Sequence, residues 1–279
     1  MKFSRQIIGL GAVSLVACGL SVVGAEPAPV ADAGGSSTTA PPATSEPILD
    51  GGNGDVPDAA DGGPHGIALA FDGLGDYVRA LRNVKDDFTL EAWVLTSTSP
   101  DGGAFDEGAP ILWADVPGDT KNDFALSTLK GKLAFGAKNA TVVSSTDIAT
   151  GTWVHVAVAR TKAGGSMALY VNGTADGAKN GPTSSLDDSS TLDIGGDLAD
   201  NRYFEGLIRE VRVWNKVRTQ AEIAASMGSR LTGSEPGLVA YWRLDDGTGV
   251  VAADSSDGGK NPGSLGNGDA GTRPTWVTF

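Results

Sequence analysis

Two histidines and one cysteine are all that the chain offers for imidazole or thiol chemistry: His65, His155 and Cys18. Nucleophile–histidine catalysis needs such groups to converge, and here the material is thin. Cys18 falls in an N-terminal apolar run, His65 at the edge of the expected folded region and His155 inside a strand. Structural roles are expected for both histidines. Hard-cation chemistry has more to draw on. Asp72-Gly73 with Asp76, Asp245-Asp246-Gly247, and Asp254 to Asp257 are acidic turns whose oxygens suit Ca²⁺. The same residues serve the turns themselves, because Asp caps its own turn and Gly takes positive φ. Asp72, Asp76 and Asp254 are the metal candidates. Sugar recognition would need exposed rings beside polar groups. Of the six tryptophans (Trp93, Trp113, Trp153, Trp214, Trp242, Trp276), at least four are expected in the core, Trp153 among them. Trp113, Tyr77 and Tyr203, each beside a loop, are the ligand-binding candidates.

The elements that must position these residues are short strands. The organising stretch is 152–173, TWVHVAVARTKAGGSMALYVNG. A β-branched run at 153–159 is too short for a typical helix. Lys162-Ala163-Gly164-Gly165 then supplies a turn, and 167–171 leads into Asn172-Gly173, the dipeptide best suited to a tight hairpin. Further strands are expected at 66–71, 76–80, 88–94, 111–114, 124–127, 132–137, 141–144, 191–194, 204–214, 238–244 and 274–279. The stretch 88–94 has the period of a half-buried strand. Thr219-Gln220-Ala221-Glu222 reads as a capping box opening one short helix within 215–227, and 246–271 reads as mostly loop. About a dozen short strands and one helix, with regular turn signals, predict an all-β antiparallel sandwich. Loops 100–110, 115–122 and 197–203 would form a rim at one end, where binding residues tend to sit.

Composition sets outer bounds. A formal charge of −13 argues against nucleic acid, which needs a basic surface. One cysteine rules out an intrachain disulfide framework, so stability must come from a large core. Lys2 and Arg5 followed by an apolar stretch form a secretory signal over residues 1–25. Leu15-Val16-Ala17-Cys18-Gly19 resembles a bacterial lipobox in which Cys18 is acylated; Val23-Gly24-Ala25 alternatively suits ordinary signal peptidase. Residues 26–63 are rich in Pro, Ala, Gly, Ser, Thr and Asp, with seven acidic residues and no basic one. Such a segment is expected to be a disordered linker. Residues 64–279 are expected to form one domain.

The phrases ALAFDGLGDYVRA (68–80), DFTLEAWV (87–94), GTWVHVAVAR (151–160), MALYVNG (167–173), LDIGGD (192–197), FEGLIREVRVWNKVRTQAEI (204–223) and LVAYWRLDDGTGVVAADSS (238–256) carry a resemblance. In content and order they resemble the laminin G-like, concanavalin A-like jelly-roll superfamily, in its bacterial branch. The resemblance spans nearly all of 64–279 and implies a two-sheet jelly-roll sandwich. It also implies a range of roles, from glycan binding and protein adhesion to domains that accompany enzymes, so only a site can choose among them. Many relatives of this fold hold a calcium ion. The superfamily also includes retaining glycosidases, which need two carboxylates about 5 Å apart. Glu205 and Glu210, five residues apart, would lie on opposite strand faces about 16 Å apart. Glu91 stands alone in its strand.

The expected protein is therefore exported and lipid-anchored in the cell envelope or outer membrane, or else secreted, with the membrane touched only through the anchor. Its role would be non-catalytic binding of an extracellular carbohydrate, with Ca²⁺ as the candidate cofactor. The alternative is a protein–protein adhesion or envelope-assembly module, and the remotest a divergent glycosidase.

Overall fold

Val154–Arg160 is buried along its whole length, and it lies in the middle of a sheet. The computed structural model describes residues 66–116 and 119–279, with only the backbone of 116 and 119–123. Cys18, the signal segment, the acidic linker and His65 lie outside the described residues.

In chain order the strands are β1 (Ile67–Asp72), β2 (Val78–Leu81), β3 (Phe88–Leu95), β4 (Ala109–Val116), β5 (Asp119–Leu129) and β6 (Lys132–Ala137). Then come β7 (Ala140–Asp147), β8 (Val154–Arg160), β9 (Ser166–Val171), β10 (Thr174–Asn180), β11 (Thr191–Ile194), β12 (Gly196–Asp197) and β13 (Arg202–Tyr203). After β14 (Glu205–Trp214) and helix α1 (Gln220–Ser226), the chain closes with β15 (Leu238–Trp242), β16 (Val251–Ala252), β17 (Gly263–Leu265) and β18 (Thr275–Thr278). One sheet runs β10-β9-β8-β3-β14-β1-β18, with β15 also paired to β14. The other runs β16-β17-β2-β11-β4-β5-β6-β7, and β12-β13 form a separate ribbon. All the pairings within the sheets are antiparallel, so the fold is the expected two-sheet sandwich of jelly-roll type.

The core lies between the sheets. Phe88, Leu90, Ala92 and Val94 of β3 face it with Val154, Val156 and Val158 of β8. Phe88, Phe124 and Phe135 bridge the sheets, with ring centroids 5.0–6.3 Å apart. The opposite face of β3 is buried too, which alternation alone did not foretell. Thr89, Glu91 and Trp93 lie under α1 and its flanking segments. Trp93 Nε1 donates to the Met227 carbonyl at 2.9 Å, and Thr89 Oγ1 to that of Lys216 at 2.9 Å. The helix starts as its sequence predicts: Thr219 and Glu222 satisfy each other's backbone donors.

Asn172 (φ 48°) and Gly173 (φ 73°) make the tight turn, joining β9 to β10. The sequence reading missed β10 because TADGAKN has no large apolar residue; it is the edge strand of its sheet and is mostly exposed. It likewise missed β12, β13, β16 and β17, each of two or three residues. The expected loop at 115–122 instead falls at a hairpin, where Val116 pairs with Asp119.

Four tryptophans are buried (Trp93, Trp113, Trp214, Trp242). Trp153 is not, contrary to expectation. It precedes β8 on the outer face, is half-buried, and packs on Phe279 at 4.9 Å with Arg209 beside both rings.

Candidate functional site

At one rim the turn after β1, the β3–β4 connection, the β12–β13 ribbon and the start of β14 border an open, shallow hollow of about 470 Å³. Its lining includes Gly73, Thr98, Ser99, Glu107, Arg202, Tyr203 and Glu205. Two of the three loops expected to form a rim, 100–110 and 197–203, thus meet in one place. The volume lies in the range of small-molecule sites.

Each wall is fixed by a local device. Thr96, at the end of β3, donates its hydroxyl to the Glu205 carbonyl at 2.7 Å and accepts from Thr98 N at 3.1 Å, tying loop to strand. Farther along, Phe105 drops onto the outer face of the second sheet and stands 6.2 Å from the Trp113 ring. It occupies the space above Gly136, where a Cβ would come within 1.8 Å of the Phe105 ring, so only glycine admits it. The Phe105 carbonyl accepts from Ser127 Oγ at 3.0 Å, and the Glu107 carboxylate accepts from Gly103 N.

The ribbon is built on Asp197. Its Oδ1 accepts from Ala199 N at 3.0 Å and Asp200 N at 3.3 Å, which shapes the turn. Its Oδ2 accepts from Arg202 Nη1 at 3.2 Å, and the same Nη1 donates to Asp200 Oδ2 at 2.8 Å. Burial pushes the Asp197 carboxyl up to about 6, with the Asp200 and Asp115 charges adding and the amides of Asp200 and Ala199 opposing. Phe204 anchors the ribbon in the core, edge-on to Phe71 at 6.2 Å, and leaves its neighbour Tyr203 half-buried on the hollow's wall.

Of the three aromatic candidates, only Tyr203 lines the hollow. Tyr77 is 5% exposed and lies beneath the ribbon, close enough that a Cβ at Gly196 would meet its own Cβ at 2.6 Å. Burial pushes its phenol up. Trp113 is 4% exposed, roofed by Phe105. Neither ring offers a stacking face to solvent, which corrects the sequence reading. Both face outward from the second sheet, but the ribbon covers one and the β3–β4 loop the other.

The metal candidates divide. Asp254 does not fit a cation, because its oxygens are taken by Tyr241 N (3.1 Å), Ser256 N (2.9 Å) and Asn261 N (3.0 Å). Asp72 and Asp76 adjoin in one turn, where Asp76 Oδ2 accepts from Asp72 N at 3.0 Å and Asp72 Oδ1 from Leu74 N at 2.8 Å. Burial, with the nearby Asp72 charge, raises the Asp76 carboxyl. They line a smaller hollow of about 230 Å³ together with Arg273. Among the described residues no three acidic, histidine or cysteine side chains are arranged to hold a metal ion between them.

A second constellation escaped the sequence reading. Glu91 lies 3.4 Å from His155 Nε2 and 3.8 Å from Arg212 Nη1, and it accepts from Arg218. Glu210 accepts from Arg212 at 2.7 Å and from the Tyr241 hydroxyl at 2.6 Å. A carboxylate beside an imidazole looks catalytic in outline, but every one of these groups is at most 5% exposed. Burial pushes His155 down, keeping it neutral. The cluster joins the first sheet to the α1 segment, since Arg212 donates to the carbonyls of Ser226 (3.0 Å) and Ser229 (2.7 Å). Glu205 and Glu210 do not form a pair. Glu205 is exposed at the hollow, whereas Glu210 (φ 52°) sits at a register break between Arg209 and Arg212 and turns into the buried cluster.

A search of curated proteins returned no match. Among solved structures, a Bacteroides ovatus protein assigned as carbohydrate-binding superimposes with a TM-score of 0.61 at 23% identity, over 77% of this chain and 60% of its own. The present chain thus spans about 60% of that protein's length. A heptameric pentraxin from Limulus polyphemus gives 0.44 at 16% identity, over 61% of this chain and 84% of its own. The fourth and fifth laminin G domains of mouse laminin α1 give 0.42 at 18%, over 53% and 41%. The laminin G description of the concanavalin A-like lectin/glucanases superfamily matches residues 72–224, more than half of the sequence, and the chain belongs to that family.

Proposed function

We propose that the sandwich binds an extracellular carbohydrate without cleaving it, at the hollow walled by Tyr203. The observation that carries this reading is a half-buried aromatic ring set among hydrogen-bonding groups of Thr98, Ser99, Glu107, Arg202 and Glu205 in a concavity of sugar size. The Bacteroides ovatus protein shows the same fold in a chain assigned to carbohydrate binding; the assignment here rests on the hollow. Hydrolysis would need a carboxyl kept protonated near neutral pH. Glu107 is held below the usual range by the Gly103 and Ala104 amides, and Glu205 is exposed. Asp197, the raised carboxyl nearby, is bound to Arg202 and does not line the cavity.

The sequence supports an exported, lipid-anchored placement, with Cys18 as the acylated residue and the acidic linker as spacer. Calcium belongs to the reading at Asp72 and Asp76, whose adjoining carboxylates would be relieved by a cation; backbone and water oxygens would have to complete its shell. A protein partner is the second reading, favoured by Leu74, which is 82% exposed in the turn bordering the hollow.

The test places the full chain on a polysaccharide array with Ca²⁺ and again with EDTA, beside Tyr203→Ala. Saturable binding that falls about tenfold in the variant, roughly 1.4 kcal/mol, with an unchanged melting temperature, is the expected result. Binding indifferent to Tyr203 would remove the hollow from recognition. Silence of a folded sample would move the assignment to a protein ligand.

A further inference from the structure

The lining of the hollow carries more negative than positive side chains. It holds two carboxylates, Glu107 and Glu205, and one guanidinium, Arg202. That guanidinium is already compensated, because Nη1 binds both Asp197 and Asp200. Glu205 is also the direct cross-strand partner of Asp72. Like charges facing each other across a ladder are unfavourable, and the cations near these carboxylates, Arg273 beside Asp72 and Lys130 near Glu107, lie outside the lining. A sulfate, sialate or uronate entering here would meet Glu107 and Glu205 with no uncommitted cation in the lining. Sugar hydroxyls, by contrast, can accept from the remaining Arg202 donors and donate to either glutamate.

We infer that the hollow selects uncharged glycans and rejects acidic ones. The inference rests on the proposed carbohydrate site and names its ligand class. Arg202 serves geometry and hydroxyl recognition rather than anion capture. Exposed charges of this kind act through solvent, so discrimination should be moderate and dependent on salt.

The test compares matched ligands on the full chain at 50 mM and 500 mM NaCl: N-acetyllactosamine against its 6-sulfate, and galactan against polygalacturonate. The neutral member of each pair should bind at least about tenfold more tightly at the lower salt, and the gap should narrow at the higher. Glu107→Gln with Glu205→Gln should raise binding of the acidic member several-fold. Equal or tighter binding of acidic ligands overturns the inference while leaving a carbohydrate site in place. So does an unchanged preference in the double variant. Failure of a folded sample to bind any glycan overturns both together.

Discussion

Replacing Glu91 by Gln removes one charge from the interior and almost no volume. Burial alone would push this carboxyl up, yet His155, Arg218 and Arg212 hold it below the usual range, so it is ionised. With His155 neutral, the cluster holds two carboxylates, Glu91 and Glu210, against two guanidiniums, Arg212 and Arg218. A neutral amide in place of the Glu91 carboxylate would leave both guanidiniums buried against Glu210 alone. Breaking a buried pair from one side typically costs about 3–5 kcal/mol, a large share of the about 5–15 kcal/mol that holds a domain together. Arg218 also stacks on Trp214 at 4.1 Å and donates to the Glu222 carbonyl at 2.7 Å, so the loss should loosen the α1 segment first. Urea denaturation would show a lower midpoint at constant slope. None of these residues lines the hollow, so ligand binding by the folded fraction should not change. Glu91→Leu combined with Arg218→Met leaves the Arg212–Glu210 pair balanced, and should cost less than the sum of the two single variants. A Glu91→Gln loss below about 1 kcal/mol, or strict additivity in the cycle, would refute the balanced-charge account.

Three further perturbations test other parts of the structure. Asp197, raised by burial from 3.8 to about 6, takes up a proton on folding between those values, so its contribution to stability grows as pH falls through that window. Relative to Asp197→Asn, the wild type should gain about 2 kcal/mol between pH 7 and pH 4, a figure reduced for screening by Arg202 and solvent. His155, lowered by burial, acts in the opposite sense, but equally in both proteins, and cancels in the difference; a gap independent of pH would count against the burial of Asp197. Trp153→Ala should cost about 1–2 kcal/mol in thermal melts, because it removes a half-buried stack on Phe279 and Arg209; about 3–5 kcal/mol would return Trp153 to the core. Gly136→Ala should destabilise by about 1–3 kcal/mol by pushing out Phe105, and Phe105→Ala in the same chain should relieve it; failure of that rescue would mean that Phe105 does not fill the space over Gly136.

The sandwich was legible in the sequence because its signals are local. Alternating apolar residues at 88–94, the Asn172-Gly173 turn and the Thr219–Glu222 capping box each act through neighbouring backbone, and each appears where its spacing puts it. The scarcity of histidine and cysteine was equally plain, since it is a matter of composition. What covers each face was not legible. Trp113 and Tyr77 sit beside loops in the sequence, but whether those loops fold over them depends on Phe105 finding the gap at Gly136 and on the ribbon resting against Tyr77. Glu210 faces the buried cluster only because a register break at 209–212 interrupts the alternation that counting assumes. The hollow itself joins Gly73, residues 98–109 and residues 202–205, whose meeting depends on β14 pairing with both β1 and β3. Local chemistry wrote the strands and turns into the sequence; long-range pairing decided which side chains stayed in reach of solvent.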